Sequence, residues 1–198
     1  MDLNDFITFN PLTDNGNVLP KAPGNYLATI RDIKALPTLG CRIVTRQFRG
    51  QELIYTGITK TDLYHRIWKS HIGSHAGRST LRLTLGCLLG YKPIPRDKHN
   101  PDNGKVRFSA DDERELRTWM KENLVFHFMP NKAPKDLETA LIEQFNPPLN
   151  LSENENPVNR EFRASLSYLR SQKPWLSAQS AYTVASVMSS ETCSSTNN

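Results

Sequence analysis

Cysteine is scarce in this chain of 198 residues: Cys41, Cys87 and Cys193 are odd in number and far apart. No Cys-x-x-Cys motif and no Cys/His pair at zinc spacing occurs, which argues against a disulfide framework or a structural zinc and fits reduced thiols. No apolar stretch approaches the ~20 residues of a membrane-spanning helix. The first ten residues, MDLNDFITFN, are acidic rather than basic and lack the apolar core of a signal peptide. A cytoplasmic location with no membrane partner is therefore expected. Charge is also missing at one end: from Pro174 onward Glu191 is the only charged residue. The Ser/Thr/Asn-rich composition there predicts a disordered tail over 174–198.

The charge that is present lies unevenly. Residues 1–173 carry 25 basic and 19 acidic groups, a net of +6. Lys60 to Lys98 alone holds eight Lys/Arg against two Asp, again +6, with His65, His71 and His75 in the same segment. A local basic patch suits a phosphate backbone or an acidic protein surface, and is equally common as a merely solvated face.

Residues 1–22, rich in Asn, Pro and Gly, read as an irregular lead-in. NYLATI (Asn25–Ile30) and QELIYTG (Gln51–Gly57) read as strands joined by a broad hairpin, with a candidate strand at RIVTR (Arg42–Arg46) between them. Helices are predicted at about Asp62–His71 and Ser79–Leu89, the second stopping at Gly90. The Pro/Asn/Asp/Gly-punctuated stretch YKPIPRDKHNPDNGK reads as a loop. A helix follows at about Ala110–Asn123, with Ser109 and Asp112 placed as in a capping box. LVFHFM (Leu124–Met129) is a short apolar strand, and helices are predicted at Pro134–Phe145 and about Asn159–Ser171. The sum is an α/β (α+β) domain with a small three-stranded, mainly antiparallel sheet flanked by helices.

Two charged side chains sit awkwardly in this scheme. In the helix after QELIYTG, Leu63 and Ile67 form an apolar stripe, and at about 100° per residue Arg66 lies on its flank. In the helix at 134–145, Leu137, Leu141, Ile142 and Phe145 define one apolar arc, and Glu138 falls inside it. A carboxylate facing a core is costly unless paired, hydrogen-bonded or bound to a cation. Its partner is either an arginine such as Arg66 or a hard divalent metal; otherwise the phase is off and Glu138 is exposed.

The triplets GNY (Gly24-Asn25-Tyr26) and YTG (Tyr55-Thr56-Gly57) resemble the two signature triplets of the GIY-YIG nucleases. DLYHR (Asp62–Arg66) is similar to the helix that carries that family's arginine. ETALIEQFNPPLN (Glu138–Asn150) resembles its later motif, in which an asparagine follows the glutamate by twelve positions. The likeness covers roughly Pro23 to Leu151, with about 74–123 as a helical insertion. The insertion's GRSTLRLTLGCLLG and RTWMKENL are similar to stand-alone bacterial members. Residues 152–173 then add a C-terminal helix.

The resemblance implies a metal-dependent endonuclease acting on DNA, with RNA or branched nucleic acid as other substrates. Glu138 would hold Mg²⁺ or Mn²⁺, and Arg66 would place its fork on the phosphate oxygens. Tyr26 would activate the attacking water, with Tyr55 beside it, although a phenol of ordinary pKa ~10 needs a nearby cation to act as a base. Asn150 would hold Glu138 or its loop in place. Lys60 and Lys69 are candidate phosphate contacts, and Arg78 and Arg82, four apart on the second helix, are placed to follow a DNA backbone.

The chain departs from the pattern at three points. Asn25 stands where the first triplet has an apolar residue, and the interval from Gly57 to Arg66 is one longer than usual. His71 lies five positions after Arg66 rather than four, so on an α-helix it is turned about 100° away and is either supporting or solvated. These departures bear on the fine geometry more than on the assignment; Asn25, and Ser70 at the position where the family has its histidine, are the best support for the alternative reading, a non-catalytic nucleic-acid-binding module. A third reading is an interaction protein in which Arg66 and Glu138 form an internal ion pair.

Overall fold

The computed structural model describes residues 2–101 and 103–172, so the tail expected over 174–198 lies outside the described residues. In chain order the strands are β1 (Ile7–Phe9), β2 (Gly24–Ile30), β3 (Arg46–Phe48), β4 (Gln51–Thr59), β5 (Ile94–Pro95), β6 (Val106–Arg107) and β7 (Leu124–Pro130). Five of them make one antiparallel sheet in the order β1-β7-β2-β4-β3, and β5 pairs with β6 in a separate ribbon. The α-helices are α1 (Thr80–Leu88), α2 (Ala110–Asn123), α3 (Pro134–Phe145) and α4 (Arg160–Ser171), and a π-helix spans Tyr64–Ile72.

The central strand β2 is buried along its whole length because both faces of the sheet are covered. On one face Tyr26, Ala28 and Ile30 pack into a cluster with Leu63 and Ile67, Leu81 and Leu85 of α1, Leu116 and Met120 of α2, and Phe162 and Leu166 of α4. On the other, Leu27 joins Phe48, Leu53 and the α3 residues Leu141 and Phe145. Each Leu, Ile, Phe and Met side chain among these contributes roughly 1.5–3 kcal/mol by leaving water. The first face of β2 is thus apolar, the second carries Leu27 between the buried polar Asn25 and Thr29, and the two clusters place the π-helix and α3 on opposite faces. A register shift at Ala28/Thr29 leaves Ile54 as an extra residue in β4. This bulge lies immediately before Tyr55.

The expected strands β2, β4 and β7 and the expected helices are present, α2 and α3 with the predicted bounds. Four readings need correction. The sheet has five strands rather than three. The lead-in is not wholly irregular: Ile7–Phe9 pairs with Phe126–Phe128 and buries Phe9. The strand expected at Arg42–Arg46 lies at Arg46–Phe48, in register with Gln51–Leu53. The punctuated loop after Gly90 contains the β5–β6 ribbon. Among the described residues no helix is long and apolar enough to cross a membrane.

Candidate active site

Pairing of β2 with β4 sets Tyr26 opposite Gly57 and Ala28 opposite Tyr55, so the two tyrosines lie on one face, diagonal to each other. Their ring centroids are 6.2 Å apart. Gly57 is required by this arrangement: a Cβ there would meet the Tyr26 hydroxyl at 2.5 Å and its Cζ at 2.7 Å. The tyrosine of one triplet therefore occupies the space left by the glycine of the other.

Two side chains of the π-helix converge on the Tyr26 hydroxyl. Arg66 donates from Nε at 3.2 Å, and His71 Nε2 lies at 2.8 Å. Residues five apart share a face in a π-helix because its hydrogen bonds run from i to i+5, whereas an α-helix brings residues four apart together. The late histidine is thus placed by the helix type. His71 is fully buried, so its solvated alternative is not realised. Its Nδ1 is 2.7 Å from Ser79 Oγ, which caps α1 by accepting the Arg82 N–H at 3.0 Å. Phe126 of β7 stacks on the His71 ring with an interplanar angle of 10°.

Burial governs the protonation of this group. It pushes the Tyr26 phenol well above its usual range, with Tyr55 adding to the rise and Arg66 opposing it. Burial likewise raises Tyr55, again against Arg66. Burial, then Arg66 and Arg82, hold His71 well below the ordinary imidazole range, so it is neutral at physiological pH. Of the two side chains bonded to the Tyr26 hydroxyl, Arg66 can only donate. With His71 Nε2 accepting the Tyr26 proton, the imidazole proton lies on Nδ1, facing Ser79.

Glu138 reaches the same region from α3, on the far face of the sheet. Its side chain is 14% exposed and takes Lys135 Nζ as partner at 3.3 Å. Lys135 also pairs with Glu153. No Arg66–Glu138 ion pair forms among the described residues, so Arg66 is not the partner its position in the sequence suggested. Burial raises the Glu138 carboxyl, and Lys135 draws it back. Two asparagines fix its surroundings. Asn25 donates to the Pro134 carbonyl in the first turn of α3 at 2.8 Å and accepts from Asn131 at 3.0 Å. Asn150 accepts the Thr56 N–H and donates to the Thr56 carbonyl, both at 2.9 Å. Because β3 pairs only with residues 51–53, the outer edge of β4 is otherwise open here, and Asn150 closes it beside Tyr55.

The donors present fit a magnesium-like ion. Glu138 offers a half-buried hard oxygen, and no group of three or more His, Cys, Asp or Glu converges among the described residues. That set cannot cage zinc or calcium, but Mg²⁺ keeps several waters and is commonly held by one or two carboxylates together with substrate phosphate.

The basic candidates divide. Lys60 and Lys69 are exposed, and Lys60 shares a shallow groove with Lys132 and Lys135. Arg78 is also exposed, but it lies in a 3-10 turn before α1, where its carbonyl accepts weakly from Arg66 at 3.5 Å. Arg82 is misassigned as a backbone contact. It is 0% exposed and paired with Glu113 at 2.6 Å, and its Nη1 donates to the His71 carbonyl at 2.9 Å. Ser79 and Lys135 were not singled out from the sequence; the cap position of Ser79 was a readable signal, and Lys135 carried none.

A family model described as GIY-YIG catalytic domain matches residues 24–172, taking in α4 as well as the motif-bearing core. No curated protein and no solved structure matches the chain.

Proposed function

Because the chain belongs to the GIY-YIG catalytic-domain family, a family of nucleases, we propose that it is a divalent-metal-dependent endonuclease that hydrolyses phosphodiester bonds in DNA. The observation that carries this reading is the convergence of Arg66 and His71 on one buried tyrosine hydroxyl, beside Tyr55. Asn25 and His71, the departures behind the non-catalytic alternative, both make defined contacts here, Asn25 on α3 and His71 on Tyr26. That weighs for an intact site.

In this reading Glu138 holds Mg²⁺ or Mn²⁺. The chemistry such an ion supplies when bound is polarisation of the scissile phosphate and stabilisation of the leaving oxygen. Arg66 keeps its guanidinium plane fixed through Tyr26 and offers its remaining N–H groups to the phosphate oxygens that gain charge in the transition state. Tyr26 is a relay rather than a phenolate. Its oxygen takes a proton from the attacking water while its own proton passes to His71 Nε2, and Ser79 holds the imidazole in the required tautomer. The imidazolium so formed is opposed by burial and by two arginines; the phosphate seated on Arg66 brings the compensating negative charge. The test is nicking of supercoiled plasmid by the purified protein in Mg²⁺, Mn²⁺ and EDTA. Cleavage in either metal and none in EDTA is expected; no cleavage of DNA, RNA or branched substrates in any metal overturns the reading.

The relay also fixes a pH profile. His71 acts as a neutral base, and its pKa is depressed, so its working form persists downward past pH ~6.5. Glu138 acts ionised, with a pKa raised from 4.5. The acid limb that His71 sets in the single-turnover rate is expected below the ordinary imidazole range, and burial moves any limb from Glu138 upward from the ordinary carboxylate range. Above both the rate is expected to be flat between about pH 7 and 9, since the raised Tyr26 pKa never enters that window. A rate that climbs tenfold per pH unit across it would mean that a phenolate, not a relay, does the chemistry.

A further inference from the structure

A cleft of about 530 Å³ opens beside Tyr55 and Glu138 and runs between α3, α4 and residues 149–153. Tyr55, Glu138 and Asn150 form its near wall, and Ser167 and Arg170 of α4 form the far one. Its volume is within the range of ligand-binding clefts. Arg170 is half-buried, and its Nε is buried with no hydrogen-bond partner among the described residues. No carboxylate is salt-bridged to it among those residues; the two carboxylates that line the cleft, Glu138 and Glu153, are both paired with Lys135. The rest of the Arg170 side chain lines the cleft, so its guanidinium presents charge-assisted donors to an oxyanion entering there. The groups that sense its charge are the Cys87 thiol and the Tyr55 phenol, neither of which is an anion at neutral pH.

Resting on the nuclease reading above, we propose that Arg170 binds a backbone phosphate next to the scissile one. The cut strand would pass from Arg66, across Tyr55 and Glu138, into the α4 cleft. An arginine suits this position because its fork grips two phosphate oxygens while its stem packs along the cleft wall. Ser167 lines the same path, and its hydroxyl adds one neutral donor. Being a backbone contact, it orients the strand and carries no base preference. The C-terminal helix, which lies outside the motif-bearing core, would thus be part of the substrate channel.

The experiment is equilibrium binding of a short DNA duplex in EDTA, followed across a salt series, for wild type, Arg170→Ala and Arg170→Lys. Arg170→Ala is expected to weaken binding about tenfold, as loss of a charged hydrogen bond does, and uniformly across sequences. The slope of log K on log salt should become shallower by about one. Arg170→Lys should restore the slope and only part of the affinity. Thermal melting separates a structural role, which would lower Tm without moving the slope. An unchanged affinity and slope in Arg170→Ala, with wild type binding, overturns this proposal alone. A wild type that neither binds nor cuts nucleic acid overturns the nuclease reading and this inference with it.

Discussion

Glu138→Gln is expected to reduce DNA cleavage by at least ~10³-fold while leaving affinity for DNA unchanged or tighter. The substitution keeps the shape of the side chain and removes only its charge. In the folded protein that charge is held in a confined place, 14% exposed and countered by the Lys135 ammonium. A neutral amide cannot hold a divalent ion there, and the several kcal/mol of transition-state stabilisation such an ion supplies is lost; each 1.36 kcal/mol is a factor of ten in rate. Affinity moves the other way because a negative group leaves the surface that faces phosphate. Arg66→Lys makes the companion case. It preserves charge but loses the fork and the Nε bond to Tyr26, so a loss of ~10²–10³ in rate is expected with binding little changed. Single-turnover cleavage alongside binding in EDTA checks both. A Glu138→Gln protein that cuts within tenfold of wild type places the metal elsewhere.

Most of the elements that position this site were legible in the sequence, and the reasons differ by element. β2, β4 and β7 declared themselves as dense apolar segments, and α3 by its proline start and regular apolar arc. Glu138 stood out because a charge inside such an arc needs an explanation. β1 and β3, three residues each, carry too few side chains for any period to register, and their pairing is set by partners far along the chain. The π-helix was invisible for a different reason. YHRIWKSHI has ordinary helical composition, and only the tertiary demand that Arg66 and His71 both meet Tyr26 selects the wider turn. Asn25 shows the same limit. Read along the strand it is a polar residue where an apolar one belongs; its contact with the Pro134 carbonyl, 109 residues on, explains it. The error at Arg82 came from treating charge as exposure. Arg78 and Arg82 look like a surface pair at helical spacing, yet Arg82 turns inward to Glu113, which the sequence presented as one acid among the many of DDERE.

That inward pair yields the largest expected change in stability. Arg82 donates to Glu113 from Nε at 3.2 Å and Nη2 at 2.6 Å, to the Glu113 carbonyl at 3.0 Å, and to the His71 carbonyl at 2.9 Å. Glu113 in turn accepts the Ala76 N–H at 2.7 Å and the Phe108 N–H at 3.2 Å. The pair therefore ties α1 and α2 to the end of the π-helix that carries His71. Arg82→Met fills the volume but leaves a buried carboxylate without its counter-charge, which costs about 3–5 kcal/mol. The double variant Arg82→Met/Glu113→Gln removes both charges and keeps acceptor oxygen for Ala76 and Phe108, so most of that loss should return. Activity should not return with it, because the His71 carbonyl has still lost its donor and the imidazole its fixed distance to Tyr26. Urea midpoints for the two single variants and the double give the coupling, and single-turnover rates of the refolded double variant give the positioning. Recovery of stability together with full activity would confine the pair to holding the helices together; recovery of stability alone makes it a positioning device for His71, acting through the backbone two hydrogen bonds away from the tyrosine.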